Sequence, residues 1–346
     1  MSLLTTLAIV FVALLALVVL GLWLLRALAR GWIARRLAAQ AATPGNGIAA
    51  RITLVPTERP WRQPGTEALV EALRAAGFVE IDRYDVPEMH VMRLWGGAHP
   101  EDGIAAAVYD HGSVPPFYDL VRVYADYGTS TITTNPLHDP ANLPPNCTCI
   151  ADRTLTPASA LVVLREQPAR TDAIRVDARN FADVFTELYA RSIDHILGKG
   201  MPDAKKMREV GQRMAEATGV PMPELDDAQM DLAVQLQRVS RLAALQEAVV
   251  DRFAQSGALA PEEWARLRDR VMVVHDLLGR EEAAEIARAA ADRKGSQALV
   301  DAVLAKALPP IDTYEQISER LPPPQRLRLL GEVDHPLYAQ VVVANG

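Results

Sequence analysis

The strongest constraint on this chain is solvent rather than shape: from Leu3 to Leu25 it carries no charged residue and no proline. As a helix rising about 1.5 Å per residue, the run reaches roughly 35 Å, enough to cross a hydrocarbon core of about 30 Å. It is apolar on every side, whereas a helix in the wall of a globular domain keeps a polar stripe toward water. A cleaved leader has a basic start, an apolar run of about 7 to 15 residues and a small-residue cleavage site. Here no Lys or Arg precedes the run, and the A-x-A sites of RRLAAQAATPG lie beyond Arg26 and Arg30, too far past the apolar run. The segment reads as a retained single-pass signal anchor, so the first expected partner is the lipid bilayer, through Leu3 to Leu25.

Orientation follows from the flanks. Arg26, Arg30, Arg35 and Arg36 follow the apolar run and nothing basic precedes it, and positive flanks stay on the cytoplasmic side. The expectation is an inner-membrane protein with its amino terminus outside and its bulk in the cytoplasm. Trp23 and Trp32 mark the same boundary, where indole rings favour the headgroup region. Residues 26–40 either continue along the inner surface on anionic lipid or serve as a plain stop-transfer flank. AATPGNG, residues 41–47, is a tether.

Composition removes some function classes. The formal charge is −7, which takes away the general attraction to phosphate backbones, so nucleic acid is not an expected partner. The only cysteines are Cys147 and Cys149, in NCTC. A bridge across so short a loop would be strained and would constrain little, as suits a reducing compartment.

Beyond the tether the fold class predicted is α+β: residues 48–198 as an antiparallel sheet covered by helices, then residues 203–346 as an α-helical domain with a terminal strand. RITLVP, FVEIDRYDV, MHVMRLWGG, GIAAAVYDHG, FYDLVRVYADYG and STITTN are strand-like runs separated by turn signals. They pair most easily as a meander with one wet face and one covered face. PGTEALVEALRAAGF, TPASALVVL and ARNFADVFTELYARSIDHIL have helical spacing and supply the cover. The proline-rich NPLHDPANLPPNCTCIADRT reads as a loop of the length that often carries binding.

After Gly198, Ala, Leu, Arg, Glu and Gln dominate. DDAQMDLAVQLQRVSRLAALQEAVVDRFAQSG and ALAPEEWARLRDRVMVVHDLLG predict a helical hairpin, with a cap at Asp226 or Asp227 and a stop at Gly257. REEAAEIARAAADRK, SQALVDAVLAKAL and DTYEQISERL predict three further helices, and Tyr338 to Val343 a closing strand.

The search for chemistry finds no zinc spacing, phosphate cradle, nucleophile elbow or kinase signature, so no cofactor and no metal is expected. The best acid-rich constellation is DRYDVPEMH (Asp82, Asp85, Glu88, His90), followed by HPED (His99 to Asp102) and YDHG (Tyr109 to Gly112). If neighbouring strands align them, Asp110 and His111 meet Glu88 or His90 at one end of the sheet and could bind a metal or exchange protons. Polar residues facing water at hairpin ends are the plainer account. Two functional readings follow. One is a membrane-tethered interaction or assembly protein that meets itself or a protein partner through faces such as Leu236, Val239 and Phe253 of the helical domain. The other is an enzyme or small-ligand binder with a pocket between sheet and helices near His90, Tyr109 and His111.

Overall fold

The computed structural model describes residues 49–275, apart from 90, 113, 201–202 and 222–224, together with 327–333, 335 and 339–344. The apolar stretch Leu3 to Leu25, its arginine flank and His90 lie outside the described residues. Among the described residues no helix is long and apolar enough to cross a membrane.

The architecture is α+β with a mixed sheet. Its strands are β1 (Val55–Pro56), β2 (Val79–Asp85), β3 (Met92–Ala98), β4 (Ala105–His111), β5 (Phe117–Tyr124), β6 (Thr129–Thr133), β7 (Cys147–Ala151) and β8 (Ala173–Ile174). The first seven lie side by side in chain order, and β8 continues along the edge of β5 that β4 leaves free. Neighbours run antiparallel down to β6, as the short turns between them require, but β6 and β7 are parallel. This departs from the expected meander, and the reason is chain length. A parallel return needs a crossover of about a dozen residues, and the proline-rich segment 134–146 supplies one. NCTC, expected within a loop, therefore opens strand β7, where Cys147 and Cys149 share one face.

Both faces of this sheet are packed, not one. Helices α1 (Gly65–Ala75) and α2 (Pro157–Glu166) cover the first, burying Val70, Leu73, Trp95, Tyr118, Leu120 and Leu164. Helix α2 begins in a reciprocal cap: Thr156 accepts from the Ser159 backbone and Ser159 returns the bond, with Pro157 at the first turn. Helix α3 (Phe181–Gly198) crosses the second face and joins Tyr84, Leu94, Ala107 and Val123 through Phe181 and Val184. It sits close because Gly96 has no side chain: a Cβ there would lie 2.5 Å from Phe181 Cε1.

The following region contains α4 (Ala204–Thr218), α5 (Asp227–Gln255) and α6 (Pro261–Leu267). Asp226 caps α5 in a capping box with Gln229, and Gly257 after it adopts a φ of 67°. The second hairpin helix is far shorter than its periodicity predicts. It ends at Leu267, and VMVVH becomes β9 (Val271–His275), paired with β11 (Ala339–Ala344), which also pairs with β10 (Leu327–Val333). The region is thus not purely helical. A β-branched run satisfies helical and strand spacing alike over so few residues, and here long-range pairing decides. This small sheet packs on α5 through Leu245, Val249, Phe253, Val273 and Val341, in a core that includes Ala50 and Leu197. The helices expected over 280–321 lie outside the described residues.

Candidate functional site: a cavity between sheet and helix

The second face of the main sheet is not filled. Along β4, β5 and β6 the inward positions are small or polar: Ala105 and Ala107, then Asp119 and Val121, then Thr129, Thr131 and Thr133. Short side chains under a helix leave space, and the cavity here measures about 800 Å³, within the usual size for a small-molecule site. Phe185, Leu188 and His195 of α3 form the roof. The crossover segment closes one side with His138, Leu143, Pro144 and Asn146, and Cys147 and Cys149 of β7 complete the floor.

The floor carries one polar feature of consequence. Tyr109 donates its phenolic hydrogen to Asp119 Oδ2 at 2.9 Å, and the Thr133 hydroxyl lies against the same carboxylate. Asp119 Oδ1 has no donor in hydrogen-bonding geometry among the described residues. The residue as a whole is half-buried in the cavity lining, while Oδ1 itself is sealed from water. Burial dominates its titration: it pushes the carboxyl up to about 6, and the Thr133 and Tyr109 hydrogen bonds only partly oppose it. Burial and the neighbouring Asp119 charge also hold the Tyr109 hydroxyl well above its ordinary value.

The other titratable groups around the cavity are neutral or paired. Burial lowers His138, and Arg213 adds to that; burial and Lys199 lower His195. Burial pushes the Cys149 thiol up to about 12, so Cys149 is not a thiolate at neutral pH. Arg191 lies 2.6 Å from Glu187, and Arg252 contacts both Glu187 (3.1 Å) and Asp194 (3.0 Å). Asp194 also takes Arg51 at 2.8 Å. His195 bonds the Leu143 carbonyl, and its Nε2 is buried without a partner among the described residues.

A charged latch holds the crossover wall. Asp139 caps the 3₁₀ turn Pro140–Asn142 and receives both Lys206 Nζ and an Arg213 nitrogen of α4 at 3.0 Å. Burial works to raise its carboxyl, but the hydrogen bonds from Arg213 and Lys206 hold it down at about 2.

The residues singled out in the sequence are mostly elsewhere. Asp110 points to the opposite face from Tyr109, where it is buried and accepts from the backbones of Arg62 (2.5 Å) and Gln63 (3.1 Å) and from the Thr66 hydroxyl (2.9 Å). It organises the entry to α1. Glu88 accepts from the Thr53 backbone and hydroxyl at 3.0 and 2.9 Å, tying down the segment that follows the tether. His111 pairs with Met92 across β3 and β4, and burial, with Arg62 nearby, lowers its ring. Asp85 pairs with Arg93 at 3.1 Å, and Asp102 with His99 at 3.0 Å and Arg165 at 2.7 Å. Of the expected pocket residues, Tyr109 lines the cavity. Among the described residues no group of three or more His, Cys, Asp or Glu side chains is arranged to hold a metal ion.

Asp119 was not anticipated, although a signal was present. In FYDLVRVY the strand period places Phe117, Asp119, Val121 and Val123 on one face, so an acid interrupts an apolar row that no exposed strand would show. Comparison of the chain with protein-family models, with curated proteins and with solved structures finds no match in any of the three.

Proposed function

We propose that this chain is a membrane-anchored binding protein for a small, largely apolar molecule held beneath α3. In this reading Leu3 to Leu25 anchors the chain in the inner membrane and the binding unit faces the cytoplasm. The observation that carries the proposal is the 800 Å³ cavity, floored by Ala105, Ala107 and Thr131 and carrying the polar pair Tyr109–Asp119. Apolar walls with a few convergent polar groups are what ligand sites share. Binding fits the chemistry better than catalysis does: burial holds the Cys149 thiol protonated, and the His138 ring lies against that thiol rather than against a hydroxyl among the described residues.

The test uses the full-length protein and a protein-free small-molecule extract of the cells that express it. A ligand bound only by the folded state raises the melting temperature. Wild type should gain stability in the extract. Thr131→Phe, which places a strand-compatible ring in the cavity, should not, nor should Ala107→Leu. Equal gains in all three proteins would refute binding in this cavity.

A second reading, self-association or a protein partner through the helical region, is favoured by one stripe of α5. Leu232, Leu236 and Val239 recur at helical spacing, and Leu232 is 39 % and Val239 52 % exposed. Phe253 does not belong to that surface; it is 2 % exposed and packs against Trp264. Leu232→Glu/Val239→Glu should lower the sedimenting mass if the stripe is an interface, and leave it unchanged otherwise.

A further inference from the structure

The electrostatics of the cavity narrow the class of ligand. Taken by charge, the described lining contains the acids Asp119 and Asp194 and the cations Arg191 and Arg252. Arg191 is neutralised by Glu187, and Arg252 by Glu187 and Asp194, with Arg51 on the far side of Asp194. Asp119 differs: its neighbours are the Tyr109 and Thr133 hydroxyls, and no Lys or Arg acts on it among the described residues. A buried carboxylate without a countercharge is costly, and the cost falls when a cation or a strong donor is brought to it. Asp119 therefore leaves the described lining with a negative charge that nothing offsets, which suits a cation and neither a carboxylate nor a phosphate.

We infer that the cavity selects a cationic amine, its ammonium group placed at Asp119 beside the Tyr109 ring and its hydrocarbon part lying along Val121, Phe185 and Leu188. An ammonium group supplies the missing charge and up to three donors. The aromatic faces of Tyr109 and Phe185, whose centroids are 6.3 Å apart, add the attraction of a ring for a cation. A neutral alcohol of the same length would gain the apolar contact alone. A fatty acid would bring a second negative charge to an acid that already lacks a partner.

This inference rests on the cavity-binding reading and can fail separately from it. The experiment is calorimetric titration of the full-length protein at pH 8 with n-hexylamine, hexan-1-ol and hexanoate, repeated on Asp119→Asn and Thr131→Phe. Wild type should bind hexylamine at least tenfold more tightly than hexanol and should not bind hexanoate. Asp119→Asn should weaken hexylamine at least tenfold, and Thr131→Phe should abolish binding of amine and alcohol alike. Hexanol or hexanoate matching hexylamine on wild type overturns the inference without any variant, as does unchanged amine affinity in Asp119→Asn. If hexanol binding is lost in Thr131→Phe while the amine has no advantage, the charge selectivity alone is wrong. If nothing binds wild type, or Thr131→Phe binds all that wild type binds, the cavity reading falls as well.

Discussion

Tyr109 and Asp119 meet diagonally across two antiparallel strands: Tyr109 faces Phe117 in the register and Asp119 faces Ala107, yet the phenol reaches the carboxylate at 2.9 Å. The contact closes because Ala107 is too small to stand between them, and diagonal neighbours lie within reach of an aromatic side chain. The same smallness opens the cavity, so the polar pair and the space beside it have one cause.

A pH-dependent penalty follows. Burial pushes Asp119 up to about 6, against about 3.9 in an unfolded chain. The folded state holds this proton more tightly, so the group favours folding below about pH 4 and loses that advantage as pH rises through 6. Asp119→Asn should therefore gain on wild type between those values and end more stable by about 2–3 kcal/mol at pH 8. Urea denaturation of both proteins across the range reads the gap, and a gap independent of pH would contradict the assignment.

The seat of α3 depends on Gly96. A methyl group there would fall 2.5 Å from Phe181 Cε1, and overpacking of a core contact costs about 1–3 kcal/mol. Gly96→Ala should lower the melting temperature accordingly, and Phe181→Leu in the same chain should recover part of the loss. Full additivity of the two substitutions would show that they do not share this contact.

Much of the sheet can be read from the chain because its alternation is local: FVEIDRYDV, GIAAAVYDHG and STITTN become β2, β4 and β6. The caps at Thr156 and Asp226 are equally local and are found where the sequence places them. What fails is decided at a distance. β7 runs parallel because of where the 134–146 crossover delivers it, and Val271–His275 becomes a strand because Ala339–Val343 comes to pair with it. The site is harder still to read. Tyr109 was accessible as a pocket residue, but Asp110 and Glu88, chosen for sequence proximity to histidines, serve the entry to α1 and the Thr53 segment. Asp119 was legible only as a break in an apolar alternation, and the proximity of His138, Cys149 and His195 to it depends on three separate elements.

The ion network around Asp194 should be the most sensitive polar spot. Burial works to raise this carboxyl, but donors from His335 and Arg51 and the Arg51 charge hold it below its ordinary value. Its contribution is present above the unfolded value and is lost as pH falls through the folded one. Asp194→Ala leaves Arg51 and Arg252 facing an empty position and should cost about 3–5 kcal/mol at pH 7. Asp194→Leu/Arg51→Met should cost less than the sum of its parts in chemical denaturation, because no charge is stranded.

The latch on the crossover wall makes a kinetic prediction. With Lys206 and Arg213 both 3.0 Å from Asp139, Asp139→Asn should raise amide exchange over residues 135–146 roughly tenfold, the equivalent of about 1.4 kcal/mol. Exchange in α1 should not change. High salt should bring wild type toward the variant, since Lys206 is partly exposed.

The central claim is that the space beneath α3 holds a small molecule, and native mass spectrometry of the full-length protein tests it most directly. Wild type released gently from the membrane should carry a discrete extra mass at one copy per chain, and Thr131→Phe and Ala107→Leu prepared alongside should fly without it. The same adduct on all three proteins, or bare polypeptide from wild type even after incubation with the cell extract, would contradict the account.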